Sequence, residues 1–252
     1  MGSFQSRKFL ILGFILAAKC ALAKEPPFYI PLPPQTYPFG LKRYITEEKE
    51  AIVEKSRDMA SDQGYVDFVF EMGMLANISR AGNAFLGSGD QTVAEHSFRC
   101  AVIGYLLSKI TTLSHDRYKL LCMCLFHDAH ETRIGDLNYL QQGYLSVDTD
   151  QVWADIENLS LLGREVRSLH NEFEEKESNE SLLAKDADKL ELLFFLKEQH
   201  DLGNPRALEW FTNAEKKLLT AEAKSLAQEL KERKADEWWK MRFSKQRPIR
   251  RE

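Results

Sequence analysis

Apolar positions recur along this chain at helical spacing, and no segment alternates apolar and polar positions with β-branched residues. No proline occurs from residue 41 to residue 204. The expected fold class is therefore all-α, a single helical bundle. Periodicity predicts a charged, weakly amphipathic helix over 45–60, opened by Thr46 and Glu47, and a more apolar one over 65–78 in which Phe68, Val69, Met72 and Leu75 recur at helical spacing. A polar loop follows, with Arg80-Ala81-Gly82-Asn83 and then Gly87-Ser88-Gly89-Asp90. Thr92-Val93-Ala94-Glu95 reads as a capping box. The helix it opens runs to about Lys109 and carries His96, Cys100, Ile103 and Leu107 on one stripe.

A central helix is expected over 116–131, two more over 148–163 and 165–177, and a last core helix over 182–200. Near the start of that last helix lie Asp186, Asp188 and Glu191. Asp186 fits a helix-start carboxylate that complements the macrodipole, and Asp188 is the better candidate for an inward role. Asn204-Pro205 reads as N-cap and first helical residue. One long, mostly polar helix is expected from there over 205–239, seated by Trp210, Phe211, Leu218 and Leu226.

The ends differ in character. Arg7 and Lys8, the apolar run 9–18 and the small-residue tripeptide Ala21-Leu22-Ala23 together describe a secretory signal, 1–23, with cleavage after Ala23. The run is too short to span a membrane, which takes about 20 residues. Lys19 runs against the pattern, and an uncleaved extension is the other reading. The protein is secreted or periplasmic on the first reading and cytoplasmic on the second. Residues 24–40 hold six of the eight prolines and read as an extended linker. The core domain is expected over 41–204, the C-terminal helix over 205–239, and a basic tail over 240–252 (Lys240, Arg242, Lys245, Arg247, Arg250, Arg251).

Composition narrows the function. The 252 residues are 44% hydrophobic, enough for a real core, and the net charge of −4 does not suit a polyanion partner, so no nucleic acid is expected. Cys100, Cys122 and Cys124 lie in apolar helical patterns and read as reduced thiols rather than a metal clip. There is no internal repeat, no glycine-rich phosphate loop and no nucleophile elbow.

Chemistry concentrates in Phe126-His127-Asp128-Ala129-His130-Glu131, followed by Thr132-Arg133-Ile134-Gly135-Asp136. On a helix His127 and Glu131 share a face with Asp128 beside it. An imidazole next to a carboxylate suits a divalent metal, and a Glu one turn on can hold a water. A polar helix end facing solvent is the plainer alternative. His96 alone reads equally well as a core histidine.

Taken in order, His96, His127-Asp128 and Asp188 resemble the pattern of the HD-domain superfamily of metal-dependent phosphohydrolases. Three local words, Val93-Ala94-Glu95-His96-Ser97, His127-Asp128-Ala129-His130-Glu131 with Gly135-Asp136-Leu137, and Lys185-Asp186-Ala187-Asp188-Lys189, are similar to its 5′-deoxynucleotidase branch. The similarity spans roughly 64–200. It implies an HD-type bundle with the site between helices, and one divalent cation (Co²⁺, Mn²⁺ or Mg²⁺) on His96, His127, Asp128 and Asp188. It also implies that Glu131 orients or deprotonates the attacking water, that Asp136 lies near the sugar, and that Arg80 reaches the substrate phosphate. The implied activity is release of phosphate from nucleoside 5′-monophosphates, small phosphomonoesters being the partners. The alternatives are an HD phosphodiesterase on another phosphoester and a non-catalytic metal- or nucleotide-binding module. Family members often form dimers, so a homodimer is admissible.

Two departures stand out. The branch places a tryptophan linked to deoxyribose selection just after the arginine, where this chain has Ala81 and Asn83. His130 is an extra imidazole, pointing about 100° from Glu131 on a regular helix, and a supporting or surface role is expected for it.

Overall fold

The computed structural model describes residues 62–244, with side chains over 63–240. The helix expected over 45–60, the signal and linker segments and most of the basic tail lie outside the described residues. Within them the elements are α1 (Asp62–Gly73), a 3₁₀ turn (Met74–Asn77), α2 (Gly82–Leu86), α3 (Val93–Ile110), α4 (Arg117–Phe126), α5 (Glu131–Ile134), α6 (Tyr139–Gln142), α7 (Thr149–Leu159), α8 (Leu161–Glu175), α9 (Asn179–Asp201), α10 (Arg206–Glu215), α11 (Ala221–Glu232) and α12 (Glu237–Ser244). The described residues contain no sheet, only an antiparallel bridge between Ser79 and Thr92. None of their helices is long and apolar enough to cross a membrane.

α9 is the hub, packing on α3, α4, α8, α10 and α11. Its buried positions, among them Leu183, Ala184, Ala187, Leu190, Leu193 and Leu196, encircle the helix rather than form one stripe. A helix apolar on all sides is one surrounded by partners, and each buried leucine contributes about 1.5–3 kcal/mol. α3 and α4 approach so closely at Gly104 that a Cβ there would lie 2.7 Å from Cys124 Sγ. A second cluster, Phe68, Met72, Ala129, Trp153, Ile156 and Val166, joins α1, α7 and α8 to the turn after α4. The capping box of α3 forms in full, with Thr92 and Glu95 each accepting the other's backbone N–H.

Several expectations need correction. The central helix does not continue to residue 131. α4 ends at Phe126, and Ala129, Glu131, Thr132 and Arg133 donate to carbonyls only three residues back. The His127 carbonyl, which a regular helix would offer to Glu131, accepts instead from His170 Nδ1 at 2.9 Å. Thr132 Oγ1 also donates to the Ala129 carbonyl at 2.9 Å. The break between α7 and α8 falls at Ser160, which caps α8, so Gly163 is helical. A Cβ at Gly163 would meet the Ile156 carbonyl oxygen at 2.1 Å, which explains the glycine.

The helix expected over 205–239 is three helices, α10, α11 and α12. The first break is made by Asp186, which lies two turns inside α9 rather than at its start. Its fully buried carboxylate accepts from the Leu219 and Thr220 N–H groups, each at 2.7 Å, and from Thr220 Oγ1 at 2.6 Å, and Thr220 in turn caps α11. At the second break Ala235 N–H donates to Asp201 at 2.8 Å. The loop over 80–90 also contains one short helix, α2.

Candidate active site

His96 is placed by the first turn of α3 and is fully buried. Its Nδ1 lies 2.5 Å from Glu191 Oε2. His127 follows the last turn of α4, its Nδ1 3.1 Å from the Cys124 carbonyl oxygen. Both Nδ1 atoms thus face acceptors, which fixes the proton of each neutral imidazole there and leaves both Nε2 lone pairs pointing inward. The two Nε2 atoms are 3.2 Å apart. Asp128 Oδ2 lies 3.3 Å from His127 Nε2 and 3.7 Å from His96 Nε2, and Asp188 Oδ1 lies 3.4 Å from His96 Nε2. Among the described residues His96, His127 and Asp188 bring their ligand atoms within 4.8 Å of one another; Asp128 falls outside that group but lies beside both imidazoles. Ligands about 2.1 Å from one ion sit roughly 3.0–3.4 Å from each other in octahedral or tetrahedral geometry, and the separations of 3.2, 3.3 and 3.4 Å around the two Nε2 atoms match that spacing. The donor set fits a divalent cation.

The protein's own charges agree with this reading. Burial and the Arg80 charge work to lower the His96 pKa, but hydrogen bonds to Asp188 and Glu191 outweigh them and raise it to about 9. A proton on His96 is held between the Asp188 and Glu191 carboxylates. Burial lowers the pKa of His127. Burial would raise Asp128, but His127, Arg80 and His96 hold it below the usual carboxylate range. Asp188, against the same burial, is held well below it by the His96 hydrogen bond and by Lys189, 2.9 Å away.

Arg80 comes from the loop after the 3₁₀ turn. A strand-like pairing fixes that loop beside the start of α3: Arg80 N–H donates to the Gln91 carbonyl and Val93 N–H to the Ile78 carbonyl, each at 2.9 Å. The guanidinium lies 3.1 Å from Asp128 Oδ2 and 3.6 Å from Asp136 Oδ2. Asp136 also accepts from Ala81 N–H at 2.9 Å. Although burial opposes it, these carboxylates raise the Arg80 pKa further, so the guanidinium is a permanent charge at the mouth of the site.

Glu131 is 8% exposed, and its Oε2 has no hydrogen-bond partner among the described residues. Burial, then the Asp128 and Asp136 charges, push its pKa up to about 9 against Arg80 and His96. Beside it opens a cleft of about 290 Å³ lined by Glu131, Asp136, Ile134, Leu137, Leu145 and Val147 among others. Its lining mixes the Glu131 and Asp136 carboxylates with apolar side chains.

The structure thus gathers all seven residues singled out in the sequence. It also adds three. Glu191, 1% exposed, holds His96 and accepts from Gln91 Nε2 at 2.6 Å and Arg99 Nε at 2.8 Å. His170 fixes the backbone of His127. Arg99 also reaches Glu198, linking α3 to α9. Spacing held part of this signal, since Glu191 is three residues from Asp188 and Arg99 three from His96, so each shares a helix face with a site residue. His130 is not at the surface. It packs against Trp153 and His170, with ring centroids 5.5 and 4.8 Å away, and burial and His170 lower its pKa to about 4.

Residues 72–231 match the HD-domain family. The chain belongs to the HD-domain family, and so to the HD-type phosphohydrolases. It is similar to a 5′-deoxynucleotidase, HDDC2, of Dictyostelium discoideum, 28% identical over 162 residues that cover 58% of this chain and 85% of that protein. Among solved structures it resembles a conserved hypothetical protein from Pyrococcus furiosus, with TM-score 0.56 and 26% identity over 66% of this chain and 98% of that one. A protein of Magnetospirillum magnetotacticum described as a predicted metal-dependent phosphohydrolase shares the fold, with TM-score 0.52 and 20% identity over 66% of this chain and 89% of that one.

Proposed function

We propose that this HD-domain chain releases phosphate from nucleoside 5′-monophosphates. The observation that carries the reading is the cluster of His96, His127 and Asp188 ligand atoms with Asp128 beside it, together with Arg80, which approaches both Asp128 and Asp136, the latter in the lining of the Glu131 cleft. His96, His127, Asp128 and Asp188 would hold one divalent cation, Co²⁺, Mn²⁺ or Mg²⁺. When bound, such an ion lowers the pKa of water and neutralises charge on a phosphoryl group.

This chain's own residues do the rest. Arg80 forks toward the phosphate, and a guanidinium matches two phosphate oxygens at once. Glu131, unpartnered on one oxygen, would orient the attacking water, and would take its proton once a bound cation offsets the burial and the Asp128 and Asp136 charges that hold its pKa up. Asp136 contacts the sugar or guides the leaving 5′-oxygen. The apolar lining residues Ile134, Leu137, Leu145 and Val147 would accept an uncharged base and exclude water. The nucleotide assignment is supported by the similarity to the Dictyostelium 5′-deoxynucleotidase. With Ala81 and Asn83 following Arg80, discrimination between deoxyribose and ribose is expected to be weak.

Glu131→Gln tests the assignment. Metal stoichiometry and melting temperature should hold while turnover falls by about 100- to 10,000-fold, the usual worth of a positioned acid–base group. Turnover near the wild-type rate would remove Glu131 from the chemistry.

A further inference from the structure

We propose that a second ligand site lies outside the catalytic cleft, between the tip of the Arg80–Gln91 loop and the turn from α9 to α10, and that it takes a small molecule through an oxyanion group, phosphate or carboxylate. The cleft there measures about 410 Å³, larger than the one beside Glu131. It is a built feature. Asn204 Nδ2 ties the α9–α10 turn to the loop tip through the Leu86 carbonyl at 2.9 Å and Ser88 Oγ at 2.8 Å. Gly87 and Gly203, on opposite walls, both take positive φ, +78° and +105°, a conformation costly for any residue with a side chain.

Three donors without acceptors mark what it binds. Gln199 is 9% exposed, lines the cleft, and its carboxamide makes no hydrogen bond among the described residues. A Cβ on Gly89 would lie 3.4 Å from the Gln199 Cδ, so the amide sits against the loop. No amide atom of Gln199 is among the buried unpartnered atoms, so the amide is open to the cleft, where a bound acceptor can meet it. The Arg206 guanidinium reaches back to the loop tip, its Nη1 3.9 Å from where a Gly87 Cβ would stand. Among the described residues no carboxylate pairs with it, and no acid lines the cleft. Ser88 Oγ accepts from Asn204 and keeps its own hydrogen free to donate. One cation and two neutral donors beside Leu202 and Pro205 select an anion with an apolar body. The loop that forms one wall ends at Arg80 on one side and at Gln91, the partner of Glu191, on the other.

The test uses the full, Mg²⁺-loaded protein and backbone amide NMR, titrating inorganic phosphate in one arm and benzoate in the other. Saturable shifts at Ser88, Gly89, Gly203 and Arg206 are expected in at least one arm, and that arm names the source of the oxyanion. In Arg206→Ala, a surface change, affinity at these amides should fall about tenfold or more, as loss of a charged hydrogen bond implies. Shifts at Gly135 to Leu137, which report on the catalytic cleft, should persist. A second variant, Gln199→Glu, should weaken the same amides. No saturable shift in either arm, or shifts undiminished in both variants, would overturn the proposal.

Discussion

Replacing Glu191 by Gln probes whether the acceptor cluster is held ready for a cation. The side chain is 1% exposed and receives three donors, His96 Nδ1, Gln91 Nε2 and Arg99 Nε. Glutamine keeps the shape and can still accept from His96. It cannot accept from all three, and it removes the negative charge that makes His96 Nε2 basic. Arg99 is 28% exposed, so solvent repays part of its loss. The cost should fall chiefly on His96. Removing a carboxylate behind a ligating histidine typically weakens metal affinity about 10- to 100-fold, or about 1.4–2.7 kcal/mol. Isothermal titration with Mn²⁺ measures this directly, with circular dichroism to verify folding. At saturating metal, kcat should fall by less than the affinity does, because Glu191 acts through His96 and touches no substrate. A folded Glu191→Gln protein with wild-type Mn²⁺ affinity would refute the reasoning.

Three further outcomes follow from the same geometry. Arg80→Ala should raise KM and lower kcat/KM for phosphomonoesters about 100-fold, the scale of one lost electrostatic donor, with metal still bound; unchanged steady-state kinetics would place the loop away from the phosphate. Asp186→Ala removes the buried acceptor of the Leu219 and Thr220 N–H groups and of Thr220 Oγ1, so it should cost about 2–4 kcal/mol and lower Tm by roughly 5–10 °C in calorimetry, with KM unchanged. Metal affinity should depend on pH through His96, raised to about 9 in metal-stripped protein. Below that pH binding must expel a proton, so affinity should strengthen about tenfold per pH unit up to about 9 and then level. Titrations in buffers of different ionisation enthalpy should show close to one proton released at pH 7.5, and none released would contradict the assignment.

The site was more legible in the sequence than the elements that hold it. Singly, His96 reads as a core histidine and His127-Asp128 as a polar helix end; it was the order of His96, His127-Asp128 and Asp188, resembling the HD-domain pattern, that picked them out as a set. The capping box of α3 was readable because all its parts lie within four residues. The end of α4 was not, because the donor that draws away the His127 carbonyl, His170, is 43 residues distant. Nothing local between 205 and 239 announced two breaks either. The first is imposed by Asp186 from another helix, which local reasoning had assigned to a helix dipole. Glu191 was noted beside Asp188 but given no role for the same reason: its partner His96 is 95 residues away. Local signals specify caps and faces. Tertiary hydrogen bonds decide where a helix stops.

The most direct test of the central claim is phosphate release by the purified protein. Ribo- and deoxyribonucleoside 5′-monophosphates, 3′-monophosphates and an aryl phosphate would each be offered with Co²⁺, Mn²⁺, Mg²⁺ or EDTA. The account predicts metal-dependent release from 5′-monophosphates, abolished by EDTA and by His127→Ala, with similar deoxy and ribo rates. Release that survives EDTA, or no release from any substrate while metal is demonstrably bound, would contradict it.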